Sequence, residues 1–147
     1  MIRREEIFVP FTFTFSRYIY STFHYRTYNS EIFNGQEFLE GPVLPYSAWD
    51  SCVVEFEPNV VFITGGFIDR EPAYLINVDS GEVTELPADP NALKWFPACG
   101  VVDSPILGGK DIVVAGGNDE PNTFIYNTEV NSWRLGPRLP YSIEGVS

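Results

Sequence analysis

Few residues in this chain have side chains that could do nucleophilic, acid–base or metal chemistry. The chain contains one histidine, His24, and two cysteines, Cys52 and Cys99. His24 has no serine or cysteine partner at a defined spacing, and sites for copper, zinc or iron usually need more nitrogen and sulfur ligands than these residues supply. The sequence therefore predicts that the chain is not an enzyme and holds no metal or other cofactor.

The two cysteines are expected to be buried packing residues and not reactive ones. A pair of cysteines does not make a disulfide framework, and free cysteine is among the residue types most often buried. We expect Cys52 and Cys99 to be reduced thiols at the same position of two repeated strands. The repeat itself is described below.

Acidic residues and a lysine lie close to glycine pairs. "DRE" at 69–71 and "DE" at 119–120 each follow a glycine pair, and "GGK" lies at 108–110. Paired carboxylates can serve hydrolysis, but solvated loop tips are the simpler interpretation. The "GGK" segment lacks the spacing of a phosphate-binding loop and is expected to form a hairpin turn.

The charge of the chain limits its partners. Its 147 residues carry 20 acidic and 9 basic side chains, for a net charge of −11. Without a basic stripe the chain cannot neutralise phosphates, which argues against nucleic acid and anionic membranes as partners. No apolar run reaches a length of about 18 residues, which a membrane-spanning helix needs. We expect a cytoplasmic protein whose field weakly favours basic partners.

Two short phrases occur twice in the chain. "VVFITGG" at 60–66 returns as "IVVAGG" at 112–117, and "GPVLPYS" at 41–47 returns as "GPRLPYS" at 136–142. Aromatic residues make up 16% of the chain, and 12 Gly and 12 Pro are spread along it. That composition is typical of many short strands joined by turns.

Each repeated unit contains four strand-like runs separated by turn residues. The predicted strands are Ser51–Glu57, Val60–Gly65, Ala73–Val78 and Glu82–Leu86 in the first unit, and Ala98–Val102, Asp111–Ala115, Thr123–Asn127 and Ser132–Leu135 in the second. Four antiparallel strands repeated at an interval of about 50 residues predict an all-β chain built of β-propeller blades.

The second unit resembles the kelch motif. In "GGNDEPNTFIYNTEVNSW", Gly116 and Gly117 close a hydrophobic strand, and Tyr126 and Trp133 follow at about the distances that kelch repeats show. The resemblance covers roughly residues 41–142 and implies a partial kelch-type propeller with four-stranded antiparallel blades. It also implies that Tyr126 and Trp133 pack between neighbouring blades.

The first unit departs from this pattern after its own glycine pair, Gly65 and Gly66. Its tyrosine and tryptophan positions fall on Ile76 and Val83. Phe38, three residues before "GP" like Trp133, resembles the tryptophan position of a still earlier unit.

The repeats divide the chain into four parts. They are a partial or atypical blade at 1–40, kelch blades at 41–92 and 93–142, and the start of a further blade at 143–147. The first part is expected to hold strands near Ile7–Phe15, Tyr18–Arg26 and Gln36–Glu40. Together these parts amount to about three blades, fewer than the four to eight that close a ring. We therefore expect a fragment of a longer protein that self-associates through its open edges.

The resemblance implies a protein–protein interaction module. Kelch propellers often recognise the substrates or partners of larger adaptors, such as receptors of cullin ubiquitin ligases. The alternative is a fragment of a propeller enzyme similar to galactose oxidase, with catalytic residues outside this chain. The full-length reading frame discriminates between the adaptor and the enzyme: an upstream BTB segment supports the adaptor, and a cluster of histidines and tyrosines in later blades supports the enzyme.

Partner contacts are expected in the loops at one end of the blades. They are Tyr46, Ser47, Trp49, Asp69, Arg70, Glu71, Lys94, Trp95, Asn118, Asp119, Glu120, Tyr141 and Ser142. Such loops are held by a rigid strand scaffold.

Overall fold

The computed structural model describes residues 19–22, 28–46, 51–66, 72–88, 97–117 and 120–142. These residues form eleven strands and no helix. The strands are β1 (Ile19–Thr22), β2 (Ser30–Phe33), β3 (Phe38–Glu40), β4 (Cys52–Glu57), β5 (Val60–Thr64), β6 (Tyr74–Asn77), β7 (Val83–Glu85), β8 (Ala98–Asp103), β9 (Lys110–Ala115), β10 (Thr123–Asn127) and β11 (Ser132–Leu135).

The strands form three separate antiparallel sheets. The first sheet has the order β1-β2-β3, the second β4-β5-β6-β7 and the third β8-β9-β10-β11. Each four-stranded sheet is a meander in which chain neighbours pair. The prediction of an all-β chain with two four-stranded antiparallel units is therefore confirmed.

The strand predictions hold closely in the second and third sheets and less well in the first. β10 and β11 have the predicted bounds, and the other strands of these sheets differ from the predicted bounds by one residue at one or both ends. In the first sheet β2 was not predicted, because "SEIF" is too short to show an alternating pattern. The strand predicted at Ile7–Phe15 lies outside the described residues.

The last two strands have the same register in the second and third sheets, and the first sheet has a turn two residues shorter. Trp133 pairs with Tyr126 in the third sheet, and Val83 pairs with Ile76 in the second. Phe38 pairs with Phe33 in the first sheet. The prediction that Phe38 takes the tryptophan position of an earlier unit therefore agrees with the strand pairing.

An asparagine starts the turn between these last two strands in every sheet. The side-chain oxygens of Asn34, Asn77 and Asn127 each accept hydrogen bonds from two backbone N–H groups, two and three residues further on. This local bond stabilises a tight turn. This repeated asparagine is shared by the first sheet and the other two, and it was not predicted from the sequence.

Side chains alternate between the two faces of a sheet. We call the face toward the preceding sheet the front face, and the face toward the following sheet the back face. Ile112, Val114 and Tyr126 on the front face of the third sheet share one buried cluster with Val54 and Phe62 on the back face of the second. The second and third sheets are thus stacked face to face.

The first and second sheets meet through the linker that follows β3. Leu44 and Tyr46 of this linker are buried with Val61, Ile63 and Ile76 on the front face of the second sheet. A small apolar gap remains in this interface, lined by Ser30, Pro42, Leu44, Val53, Val61, Ile63, Ile76 and Val78. Ile76 is smaller than Tyr126, its counterpart in the third sheet.

A disulfide joins the second sheet to the third, so the prediction of free thiols is wrong. Cys52 and Cys99 are bonded, with Cα atoms 5.9 Å apart, a usual separation for this bond. Cys52 pairs with Thr64, directly before the glycine pair of its sheet, whereas Cys99 pairs with Val114, one residue further from its own pair. The predicted superposition of Cys52 on Cys99 is therefore wrong by one residue.

This one-residue difference allows the bond. If the two cysteines held the same strand position, both would project from the same face of their sheets. The shift places Cys52 on the back face of the second sheet and Cys99 on the front face of the third. The two sulfur atoms can then meet between the stacked sheets.

Tyr126 and Trp133 lie between the second and third sheets, but they differ in burial. Tyr126 is 3% exposed, whereas Trp133 is half-buried, less than the resemblance implies. The indole Nε1 of Trp133 donates a hydrogen bond to the Pro87 carbonyl at 2.8 Å, and its ring lies 6.4 Å from that of Phe62. Partial exposure lets the indole bind the linker that enters the third sheet.

Candidate partner-binding face

The loops that connect successive units lie at one end of the sheets. In a meander, the β5–β6 and β9–β10 connections emerge at the same end as the linkers that follow β3, β7 and β11. We call this the loop end. The turns between the first two and the last two strands of each sheet lie at the opposite end, which we call the hairpin end.

The glycine pairs mark the loop end. Gly65 and Gly66 have φ values of 76° and 119°, and Gly116 and Gly117 have φ values of 69° and 86°. Side chains disfavour this left-handed region, so the glycines are required by backbone conformation. The chain thereby turns sharply out of the buried β5 and β9 into the loops.

Tyr46 is buried against the β5–β6 loop and contacts the glycine pair at its start. Its side chain is 3% exposed and packs on Tyr74, with ring centroids 5.7 Å apart. Its hydroxyl donates a hydrogen bond to the carbonyl of Gly65 at 3.0 Å. Tyr46 therefore holds the glycine turn in place and offers no surface to a partner in this conformation.

Tyr141 and Ser142, at the equivalent place after the third sheet, are exposed, and Tyr141 has 71% of its surface open. Glu120 is also exposed and accepts a hydrogen bond from the Asn122 amide at 3.0 Å. The N–H of Leu139 donates to the Pro121 carbonyl at 2.8 Å. The structure thus brings the linker after β11 against the β9–β10 loop.

The remaining predicted contact residues lie outside the described part of the chain. They are Ser47, Trp49, Asp69, Arg70, Glu71, Lys94, Trp95, Asn118 and Asp119. Their flanks, Gly66 and Pro72 in the second sheet and Gly117 and Glu120 in the third, belong to the loop end.

The strongest charge interaction of the described residues lies on the third sheet, away from the loop end. Asp111 is 2% exposed, and its carboxylate accepts hydrogen bonds from Arg134 at 2.5 and 3.2 Å and from the Asn127 amide at 2.7 Å. The hydrogen bond from Arg134 holds the pKa of Asp111 below its usual value. This network is structural and was not predicted from the sequence.

Within the described ranges, no group of three or more histidine, cysteine, aspartate or glutamate side chains could hold a metal ion. No described helix is long and apolar enough to cross a membrane. No family model matches the chain, and a search of curated proteins gives no match.

Removing the Tyr46 hydroxyl tests its supporting role. Tyr46→Phe is expected to lower the free energy of unfolding by about 1 kcal/mol, because the buried Gly65 carbonyl loses its donor. Tyr141→Phe is the matched control and should leave stability unchanged, since Tyr141 is exposed. Urea unfolding of both variants measures the difference. Equal stabilities would contradict the role given to Tyr46.

Proposed function

We propose that this chain is a protein-recognition module of the β-propeller type that contacts its partner with the loop end. The observation that carries the proposal is the stacking of repeated sheets, which brings the connecting loops to one end of a packed scaffold. Binding residues often lie on loops that a rigid scaffold positions. The kelch-like glycine, tyrosine and tryptophan spacing extends the proposal to kelch-type repeats.

The resemblance to kelch repeats also suggests the wider role. We propose that the chain is the partner-recognition part of a larger adaptor, such as a receptor of a cullin ubiquitin ligase. Its net charge of −11 favours a basic segment of the partner through long-range attraction. Association should therefore slow as the salt concentration rises.

A selection from a displayed peptide library, followed by loop variants, tests the proposal. The triple variant Asp69→Ala, Arg70→Ala, Glu71→Ala, in the segment between Gly66 and Pro72, is expected to weaken binding of the selected peptides at least about tenfold, or 1.4 kcal/mol. Asp79→Ala at the hairpin end is the control, because Asp79 is exposed and its loss changes net charge equally. Isothermal titration calorimetry gives both affinities.

The control also defines the contrary result. If Asp79→Ala weakens peptide binding as much as the loop variant does, the peptides bind the hairpin end or respond only to net charge. Selected peptides that bind the unfolded chain equally well would also exclude a loop-end site. Either result would contradict the proposed recognition surface.

The expected cytoplasmic location remains a proposal, and the Cys52–Cys99 disulfide counts against it. Disulfides persist in oxidising compartments and are rare where glutathione keeps thiols reduced. Acid quenching of intact cells, followed by thiol alkylation and mass spectrometry, decides between a reducing and an oxidising compartment. Alkylated Cys52 and Cys99 support a reducing compartment, and a bridged peptide supports an oxidising one.

A further inference from the structure

Two sheet faces are not covered by another described sheet: the back face of the third sheet and the front face of the first. On the third sheet Val102 is 51% exposed, and a Cβ built on Gly100 would meet no atom within 4 Å. On the first sheet Phe38 is 53% exposed and contacts Phe33, with ring centroids 5.0 Å apart. Both faces expose apolar side chains and also carry charged ones: Glu31 and Glu40 lie on the front face of the first sheet, and the Asp111–Arg134 pair lies on the back face of the third.

The linker after the third sheet indicates that the back face of this sheet can be covered by the front face of another sheet. In "GPVLPYS", Leu44 is 6% exposed and Tyr46 3%, because both pack on the front face of the next sheet. The same "LPYS" follows the third sheet, and there Tyr141 is 71% exposed. An identical segment is therefore buried where a following sheet exists and exposed where none is described.

The first sheet carries the complementary feature. Like Tyr126 and Trp133, Phe33 and Phe38 pair across the last two strands of their sheet, with the first residue directly before the turn asparagine. In the third sheet that aromatic pair contacts the back face of the preceding sheet, where the Trp133 ring approaches Phe62. The Phe33–Phe38 pair is thus equipped to contact a back face.

We propose that copies of this chain associate head to tail, with the back face of the third sheet of one copy against the Phe33–Phe38 face of the other. The contact repeats the sheet stacking already present inside the chain. Such an interface joins different surfaces, so it closes into a ring when the rotation permits. Two copies of the three described sheets give six, within the range of about four to eight blades of closed propellers.

The face next to Trp133 takes no part in this association, because Trp133 lies on the front face of the third sheet, which packs against the second sheet. The inference does not depend on the proposed partner recognition at the loop end.

Light scattering coupled to size-exclusion chromatography tests the association over a roughly hundredfold concentration range. The wild-type chain is expected to reach about twice its 16.6 kDa mass. Gly100→Arg places a long charged side chain on the back face, at a position where a Cβ atom meets no other atom within 4 Å. Phe38→Asp blocks the front face. Each variant alone should be monomeric, whereas Ile106→Asp, at an exposed hairpin tip, should associate like the wild type.

Mixing the two blocked variants separates head-to-tail pairing from other arrangements. The Gly100→Arg copy retains its front face and the Phe38→Asp copy retains its back face, so an equimolar mixture should form a 1:1 dimer through one interface. A wild-type monomer at every concentration would overturn the proposal. So would a dimer that survives in either variant, since that would mean like faces pair. If Phe38→Asp melts at a lower temperature than Ile106→Asp, Phe38→Asp is destabilised and a second pair of variants replaces it. Tyr141→Asp and Gly100→Arg both block the back-face side, so each should be monomeric and their mixture should form no dimer.

Discussion

Replacing Cys52 and Cys99 together with serine is expected to lower the free energy of unfolding by about 4 kcal/mol. The bond closes a loop with a sequence separation of 47 residues, and a cross-link of this span removes much of the conformational freedom of the unfolded chain. It also fixes β4 to β8, the strands through which the second and third sheets meet. Urea unfolding in the absence of reductant measures the loss.

The wild-type protein in excess dithiol is the control. Its stability should fall to that of the double serine variant, which shows that the bond itself and not the cysteine side chains carries the effect. Tryptophan fluorescence, to which Trp133 at the sheet interface contributes, and near-ultraviolet circular dichroism should change at the same urea concentration, because the bond holds this interface. A loss below about 1 kcal/mol would contradict a stabilising cross-link.

The strands were predictable because local signals define them. β5 and β9 are runs of mostly apolar residues that end at glycine pairs, and β10 is a short run of β-branched and aromatic residues between turn residues. The glycine requirement follows from backbone geometry alone. Such signals fix where a strand lies, but they leave its register against a neighbour open.

The disulfide shows where this information ends. The β8–β9 hairpin is longer than the β4–β5 hairpin, and β4 contains a register shift between Glu55 and Glu57. Equivalent positions in the two first strands therefore cannot be assigned to the residue from spacing. A slip of one residue exchanges the faces of a strand, and here it decides whether two cysteines can bond.

Other features depended on contacts between residues distant in sequence. Tyr46 and Tyr141 occupy the same repeated phrase, yet one is buried and the other is exposed, because only the first is followed by a described sheet that covers it. The Asp111–Arg134 pair exists because the alignment of β9, β10 and β11 brings those side chains together. A repeat identifies equivalent positions, whereas neighbouring sheets determine their surroundings.

Removing Arg134 is expected to be the second large destabilisation. Arg134→Met leaves the Asp111 carboxylate, 2% exposed, without its charged partner. Breaking a buried ion pair in this way costs about 3 kcal/mol when, as here, the partner that is removed was partly solvated. The double variant Asp111→Asn, Arg134→Met should recover part of the loss, because no buried charge then remains. Urea unfolding at neutral pH measures all three proteins.

The same pair predicts a dependence of stability on pH. Arg134 lowers the folded-state pKa of Asp111 below its unfolded value of about 3.9. The folded state then binds fewer protons than the unfolded state as the solution is acidified, so the contribution of Asp111 is complete above about pH 4 to 5 and is lost as the pH falls through the folded pKa. Asp111→Asn should remove this part of the acid destabilisation.

Unfolding free energies between about pH 2 and 7 test this sign. The difference between wild type and Asp111→Asn should be largest near neutral pH and shrink toward the acid end, where the wild-type carboxyl is protonated as well. Asp79→Asn is the matched control, because this aspartate is exposed in a turn of the second sheet. A difference that stays constant with pH would mean that asparagine disturbs packing and that the charge of Asp111 contributes nothing. A difference that shrinks only for Asp111→Asn assigns the acid sensitivity to the buried pair that joins β9 to β11.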